Sequence, residues 1–176
     1  CVCFADPVIS DSCLVLGPRH VRASDVDDLL DFVARGAWLL RGMQASAEGR
    51  AGPLLDKLGV EAGVESKLFD LTLANEQSYT LCGGTRLGGD IETRYTQLAS
   101  YDDKTYGYWY GHTQYSDGRI FLVSELDMLH NKALDDADAV ELSEALLAPL
   151  LARHRIHLFR GVDIAPFLAV SYPPLT

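Results

Sequence analysis

Four consecutive segments in the middle of the chain are rich in aromatic and β-branched residues, and turns containing Gly or Asp separate them. Such residues favour strands, and Ser116-Asp117-Gly118 is a typical hairpin turn. The pattern predicts a meander of four antiparallel strands, which any fold of this chain has to accommodate. The segments are YTLCGGTRL (79–87), ETRYTQLASY (92–101), YGYWYGHTQY (106–115) and RIFLVSEL (119–126).

Interrupted helical patterns flank this meander. Between about Trp38 and Asn75, leucines recur at three- and four-residue spacings, while Gly and Pro residues break the pattern, which indicates a bent, segmented helix. After the meander, acidic residues at 135–138 open a leucine-rich helix that Pro149 should kink. A short last helix is predicted over 164–170, before Tyr172-Pro173-Pro174.

The first 35 residues allow two interpretations. Residues 1–17 are typical of two short strands around a turn. The following segment fits either a helix capped by Ser24 or a turn and a strand leading into a later helix.

This order predicts an α+β fold. We expect an antiparallel sheet of about eight strands, built from two similar halves and topped by two long, segmented helices. The halves would cover residues 1–77 and 78–176 and together form one platform domain.

Charge and hydropathy exclude two classes of partner. The formal net charge is −10, from 15 Lys and Arg against 25 Asp and Glu, and no basic stripe offsets it. Such a surface repels nucleic acid. No apolar run approaches the roughly 20 residues of a membrane span, so we expect neither nucleic-acid binding nor membrane insertion within this segment.

Cysteines crowd at the start of the chain. Cys1, Cys3, Cys13 and Cys82 are an even number without a CxxC pair, so we expect one or two disulfides and the secretory pathway: the ER lumen, the cell surface or secretion. Four reduced, buried thiols are the alternative. A first residue other than Met is consistent with signal-peptide removal, and Cys1 also fits the lipid anchor of a bacterial envelope lipoprotein.

The histidines form no recognisable catalytic or metal pattern. His154 and His157 could share a helix face, but no HExxH motif or carboxylate pair accompanies them. A secreted cysteine hydrolase, with Cys82 as nucleophile and His112 or His154 as base, is the alternative. We expect no enzyme activity, no catalytic residues, no metal and no cofactor.

Three patches resemble MHC class I-like proteins in order and spacing. RGAW (35–38), KLF (67–69) and SYTLCGG (78–84) are similar to the first-domain helix and the strand after it. HTQYSDGRIFLVSELDML (112–129) is similar to the second-domain hairpin, and LFRGVDIAPFLAVSYPP (158–174) to the end of the second-domain helix. The family's second-domain disulfide is absent, since its positions fall at Asp163 and near Gly88 or Gly89.

The resemblance implies an α1α2 platform, most similar to a diverged viral homologue that acts in immune evasion. Such a platform would bind an immune receptor or a class I assembly component, without presenting a peptide, because the family's peptide-end ligands are missing. It also implies a Cys82 bridge to Cys1 or Cys3. A host-type receptor ligand or lipid binder is the alternative, and dependence on β2-microglobulin stays open.

An aromatic stripe and a basic helix end are the expected contact surface for this partner. The stripe equally fits a sheet face packed on a helix. The residues are Tyr106, Tyr108, Trp109, Tyr110, Arg153, His154 and His157.

Overall fold

The computed structural model describes most of the chain between residues 12 and 159. The described ranges are 12–16, 21–43, 52–63, 68–73, 76–82, 85–101, 108–124, 126, 137–151, 153 and 155–159. The predicted helix over 164–170 and the Pro-Pro segment lie outside them.

Ten strands and four helices alternate along this part of the chain. The strands are β1 (Ser12–Leu16), β2 (Trp38–Gly42), β3 (Val60–Ala62), β4 (Leu68–Leu73), β5 (Ser78–Cys82), β6 (Leu87–Gly89), β7 (Thr96–Tyr101), β8 (Tyr108–Tyr115), β9 (Gly118–Val123) and β10 (Arg155–Phe159). The helices are α1 (Ala23–Ala34), α2 (Pro53–Leu58), α3 (Ile91–Arg94) and α4 (Ala137–Leu151).

The strands form one mixed sheet with the order β10-β1-β2-β9-β8-β7-β4-β5. Neighbours from β10 to β9 are parallel, and those from β9 to β5 are antiparallel. The short β6 pairs with β3 and with β8 beside this path. One edge of the molecule is therefore a parallel α/β sheet, and the other is a meander.

Both faces of the sheet are covered. On one face, apolar residues of α1, α2 and α3 pack with Leu14, Leu39 and Ile120 in a first core. On the other, Leu142, Leu146 and Leu150 of α4 pack with Leu40 and other strand residues in a second core. The alternation of Leu39 and Leu40 between two cores explains why β2 reads as a continuous apolar run.

The hairpin between β8 and β9 confirms the predicted turn. Tyr115 pairs with Gly118, and the positive φ angle of 52° falls on Ser116. The amide of Asp117 donates to the Ala34 carbonyl at 3.1 Å, so the turn is hydrogen-bonded to the end of α1.

The predicted sheet with two long helices on top is wrong. The segment from Trp38 to Asn75, read as one broken helix, contains β2, α2, β3 and β4. Short apolar runs have no period that separates a buried strand from a helix, so tertiary context decides. Parallel strands, which need crossover connections, also replace part of the expected antiparallel sheet.

Other local predictions fare better. The helix interpretation of residues 24 onward is confirmed by α1, although Arg22 is its N-cap and the Ser24 hydroxyl donates to Asp25 Oδ1 at 2.8 Å. The acidic start before α4 is outside the described residues, and Pro149 lies inside that helix. Strands before and after residue 77 belong to the same sheet, and the division into halves stays a prediction.

Candidate functional site

A row of three side chains crosses the amino-terminal ends of the parallel strands. Trp38 opens β2 and pairs in register with Cys13 of β1 and Arg119 of β9. Since residues at paired positions point to the same face, and Cys13 belongs to the second core, all three face the side that α4 covers. With their contacts they form the Trp38 cluster: Cys13, Trp38, His112, Arg119, Phe121 and Arg153.

Aromatic rings form the base of this cluster. The Phe121 ring centroid lies 5.3 Å from that of Trp38 and 5.4 Å from that of His112. The His112 ring meets Phe121 edge-on, at 61°. Such tilted contacts are favourable arrangements of aromatic rings, and they support the half-buried Trp38 side chain.

Two guanidinium groups approach the Trp38 ring. The Arg153 Cζ lies 3.9 Å from the ring centroid, and the Arg119 Cζ lies 5.1 Å from it. Arg153 is placed by the last turn of α4, because its amide donates to the Leu150 carbonyl at 3.0 Å. Cation–π contacts of this kind contribute about 0.5–2 kcal/mol each, depending on exposure.

The six side chains of the cluster include two guanidinium groups and no carboxylate. Burial lowers the pKa of His112, and the charge of Arg119 lowers it further. Burial raises the pKa of the Cys13 thiol to about 12, an effect that Arg153 opposes. A neutral imidazole and a neutral thiol therefore lie beside two arginines.

A second group of polar side chains lies at the opposite ends of the parallel strands. Arg41, near the end of β2, is only 3% exposed, and its burial lowers its pKa to about 10. Ser124 follows β9, and its amide donates to the Trp109 carbonyl at 2.7 Å. Within the described residues, Ser124 Oγ and Trp109 Nε1 are buried without a hydrogen-bond partner.

This carboxyl-terminal edge is where open α/β sheets usually bind ligands. Arg41 is aligned with Leu122, two residues before Ser124, so both face the same side of the sheet. The segments that follow β1 and β2, at 17–20 and 44–51, lie outside the described residues. At this edge the described residues include the buried donor groups of Arg41, Ser124 and Trp109, but they do not define the walls of a pocket.

Most of the predicted contact surface is buried or lies outside the described residues. Trp109 is fully buried, and Tyr110 is 4% exposed with its hydroxyl 3.5 Å from the Leu146 carbonyl. Burial also raises the pKa of Tyr110. Tyr108 is half-buried against the first core, and Tyr106 is not described. The stripe packs on helices because β8 is central in the sheet.

The basic residues of that predicted contact surface do not lie together in the structure. Arg153 joins the Trp38 cluster. His157 pairs with Leu14, a residue of the first core, and therefore points to the other face of the sheet. Its pKa is lowered by burial and by Arg155. His154 is outside the described residues.

The two cysteines that lie in described strands are far apart in the sheet. Cys13 is a free, fully buried thiol on β1. Cys82 ends β5, which lies six strands away in the sheet order. Cys1 and Cys3 are outside the described residues, so a bridge from Cys82 to either of them stays a prediction.

Sequence reasoning missed Trp38 and Arg119 as a pair. Their adjacency depends on the parallel pairing of β2 with β9, which joins distant segments of the chain. The assignment of Trp38 to a helix start removed that possibility. His112 was considered only as a catalytic base, although it lies four residues before Ser116 of the hairpin turn and its pairing with Phe121 places it on the same sheet face.

The described residues hold neither a metal-ligand cluster nor a membrane-spanning helix. No group of three or more His, Cys, Asp or Glu side chains within these ranges could hold a metal ion. Among the described helices, none is long and apolar enough to cross a membrane.

The fold is that of a segment found in glycoside hydrolases. A β-galactosidase from Rahnella sp. R3 superposes on 82% of this chain with a TM-score of 0.57 and 15% identity, using 23% of its own length. A β-galactosidase from the haloarchaeon Halorubrum lacusprofundi gives 80% coverage, a TM-score of 0.56 and 19% identity, over 22% of its length.

An exo-β-1,4-mannosidase from Opitutaceae bacterium strain TAV5 is similar over 83% of the chain, with a TM-score of 0.53, 11% identity and 26% of its own length covered. The chain thus spans about a quarter of the length of these enzymes. No family model matches the sequence, and no curated protein is significantly similar to it.

These likenesses correct the functional predictions. The similar solved structures described above are glycosidases rather than MHC class I platforms, so the family resemblance and the immune-evasion or immune-recognition function are wrong. The exclusion of enzymes is contradicted as well, because enzymes contain this fold. Neither the predicted partners nor the secretory location is tested by these findings.

Proposed function

We propose that this chain is a unit of a carbohydrate-active enzyme of the glycoside hydrolase kind. The observation that supports the proposal is the superposition of about four fifths of the chain on galactosidases and a mannosidase from different organisms. At 11–19% identity such a likeness concerns the backbone. A fold can host several functions, so the assignment is to a class of enzyme rather than to one sugar.

Glycoside hydrolysis depends on a pair of carboxyl groups in the active site. Most glycosidases use two carboxyl groups, about 5–10 Å apart, on either side of the scissile bond. The acidic side chains with polar contacts in the described part lie mostly at the surface, as in the Asp27–Lys57 and Asp90–Arg94 pairs. The proposal therefore concerns the chain as one structural unit of such an enzyme, and it assigns no residue to the catalytic pair.

Hydrolysis and sugar binding test this proposal together. The purified chain is incubated with chromogenic β-galactosides and β-mannosides, and binding of the corresponding oligosaccharides is followed by ligand-detected NMR. We expect hydrolysis or saturable binding of at least one β-glycoside. Failure of both, with protein shown to be folded, would contradict the proposal.

Two leucine variants control for contaminating glycosidases. Leu39→Asp places a charge in the first core, where Leu39 is fully buried, and should abolish both folding and any activity. Leu158→Asp changes a side chain that is 60% exposed and should leave activity unchanged. Equal activity in both preparations would show that the signal belongs to another protein.

A further inference from the structure

The large apolar side chains that the described residues leave exposed are concentrated in one short segment. They are Leu151, the last residue of α4, and Ile156 and Leu158 of β10, with exposed fractions of 64%, 47% and 60%. Ile156 pairs with Cys13, a residue of the second core, so its side chain points to the α4 side of the sheet, and Leu158 points the same way. Exposed apolar side chains that cluster in this way mark contact surfaces, whereas scattered ones carry no such meaning.

The backbone of β10 is open to a further strand. Among the described strands, β10 is the last one at its end of the sheet and pairs with β1 alone. Its N–H and C=O groups that point away from β1 therefore have no strand partner in the described part of the chain. An edge of this kind can accept an extended segment of another polypeptide, with main-chain hydrogen bonds giving the affinity and alternate side chains the specificity.

β10 lies in a basic stretch of an acidic chain. Residues 145–162 include three Arg and two His but no Asp or Glu, while the whole chain has a net charge of −10. Arg155 is exposed and points to the face of β10 opposite Ile156, together with the half-buried His157. Burial and the Arg155 charge lower the pKa of His157, and no carboxylate of the described residues opposes this effect. The edge therefore carries the positive charge of Arg155 at neutral pH.

This charge distinguishes between the strands that could add to β10. A second copy of β10 would bring two basic strands together, and like charges opposite one another destabilise a sheet. A strand with carboxylates at every second position would place them on the face of Arg155 and its other side chains on the face of Ile156, since both strands alternate with a period of two. Charges on edge strands also prevent pairing, but such protection gives no role to the exposed Ile156 and Leu158.

We propose that β10 is the docking edge for a strand of another polypeptide in which acidic and apolar residues alternate. The added strand would extend the sheet, cover Ile156 and Leu158 with its apolar side chains and pair its carboxylates with Arg155. This surface goes beyond the proposed function and does not depend on it.

Three synthetic peptides of about seven residues, enough to span β10 at roughly 3.3 Å per residue, test the proposal. The first alternates glutamate with valine, and the second alternates lysine with valine. The third has the acidic composition with a proline at its centre, which interrupts strand pairing. Each is titrated into the purified chain at constant ionic strength, and the backbone amide signals of β10 are followed by NMR.

We expect saturable shifts of the β10 amides with the glutamate peptide. The lysine peptide should bind at least about threefold more weakly, and the proline peptide should show no saturable binding. Hydrogen exchange at the N–H groups of β10 that point away from β1 should be fast in the free chain and slow in the complex. Equal binding of all three peptides, or binding of none, would overturn the proposal.

A charge reversal tests recognition by Arg155. Arg155→Glu should reverse the preference, so that the lysine peptide binds more tightly than the glutamate peptide. Because both affinities are measured on the same variant, a loss of stability cannot produce this reversal. Arg86→Glu is the matched control, because Arg86 is exposed just before β6, which is not next to β10 in the sheet. It should keep the parent's preference, and an unchanged preference in Arg155→Glu would contradict docking at β10.

Two other occupants of this edge would give distinct results. Self-association of the chain in analytical ultracentrifugation, abolished by Ile156→Lys, would assign β10 to a contact between identical chains and overturn the proposal. Slow exchange of the outward β10 amides in the free monomer would show that another segment of this chain already pairs there, with the same consequence.

These measurements use no sugar, so failure of glycoside hydrolysis leaves them intact. Hydrolysis by the isolated chain in turn requires no docked strand, and Leu158→Asp therefore remains a neutral control for that activity.

Discussion

At the scale of single residues, Cys13 shows how position decides the chemistry of a side chain. The thiol is fully buried on β1, and its pKa of about 12 lies well above the ordinary value of 9.0. A thiol that stays protonated is neither a nucleophile nor a good disulfide partner. The crowding of cysteines in the sequence gave no hint of this, because burial depends on β10 and β2 on either side of β1.

Stability should fall in alkali through this thiol. Between pH 9 and pH 12 the unfolded chain releases the Cys13 proton and the folded chain retains it, so the free energy of unfolding decreases as pH rises. Tyr95, whose pKa burial raises to about 12, acts in the same direction at higher pH. Urea unfolding at pH 7.5 and pH 10 measures the loss.

A Cys13→Ala variant separates the thiol from the tyrosines. It should be less stable than the parent at pH 7.5, because a buried sulfur is removed, yet lose less stability on going to pH 10. An identical loss in parent and variant would mean that Cys13 titrates at its ordinary pKa in the folded protein.

At the scale of elements, the turn between β8 and β9 is held by contact with α1. A Cβ atom on Gly118 would lie 1.9 Å from the Val33 carbonyl oxygen and 2.3 Å from that of Ala37. Both obstacles are backbone atoms, one in the last turn of α1 and one directly before β2, so neither can rotate away. Gly118 is required for the approach of helix and hairpin rather than for its φ angle.

A pair of alanine substitutions tests this contact. Gly118→Ala should destabilise the protein by about 1–3 kcal/mol or more through overpacking. Gly88→Ala is the control, because its Cβ would meet no atom within 4 Å. Chemical denaturation of both variants gives the comparison, and a loss for Gly118→Ala no larger than for Gly88→Ala would refute the close approach.

Elements with a strong local signal were predictable, and those defined by distant partners were not. The hairpin turn and α4 follow from turn residues and leucine spacing that act within a few residues. β10 has exposed Ile156 and Leu158 at the edge of the sheet. Residues 155–158 alternate polar and apolar side chains as a strand does, but so short a run was assigned to a helix end. The residues of the Trp38 cluster come from β2, β8, β9 and the end of α4. The sequence shows each residue, but their proximity depends on the pairing of distant strands and could not be predicted.

At the scale of the whole molecule, the decisive property is that both faces of the sheet are covered. A sheet with helices on one face only would leave every second strand residue in contact with solvent. Here Leu39 and Leu40 are both fully buried, in different cores. That is an α/β arrangement, and the error about fold class came from placing all helices on one side.

Truncation of these neighbours tests the arrangement. Leu39→Ala and Leu40→Ala should each cost about 2–5 kcal/mol of unfolding free energy, because each leaves a cavity in a packed core. Leu158→Ala, at an exposed position, should stay within about 0.5 kcal/mol of the parent. A near-neutral result at either Leu39 or Leu40 would mean that one face of the sheet is open to solvent.

The pairing of β1 with β10 has a consequence for how the protein is made. Ser12 aligns with Arg155, so β1 leaves the ribosome well before its partner β10 is made. Closing so long a loop is slow, and chains with many such contacts expose strand edges while they fold. A product cut before Arg155 would keep β1 as an unpaired edge, open to pairing with other chains.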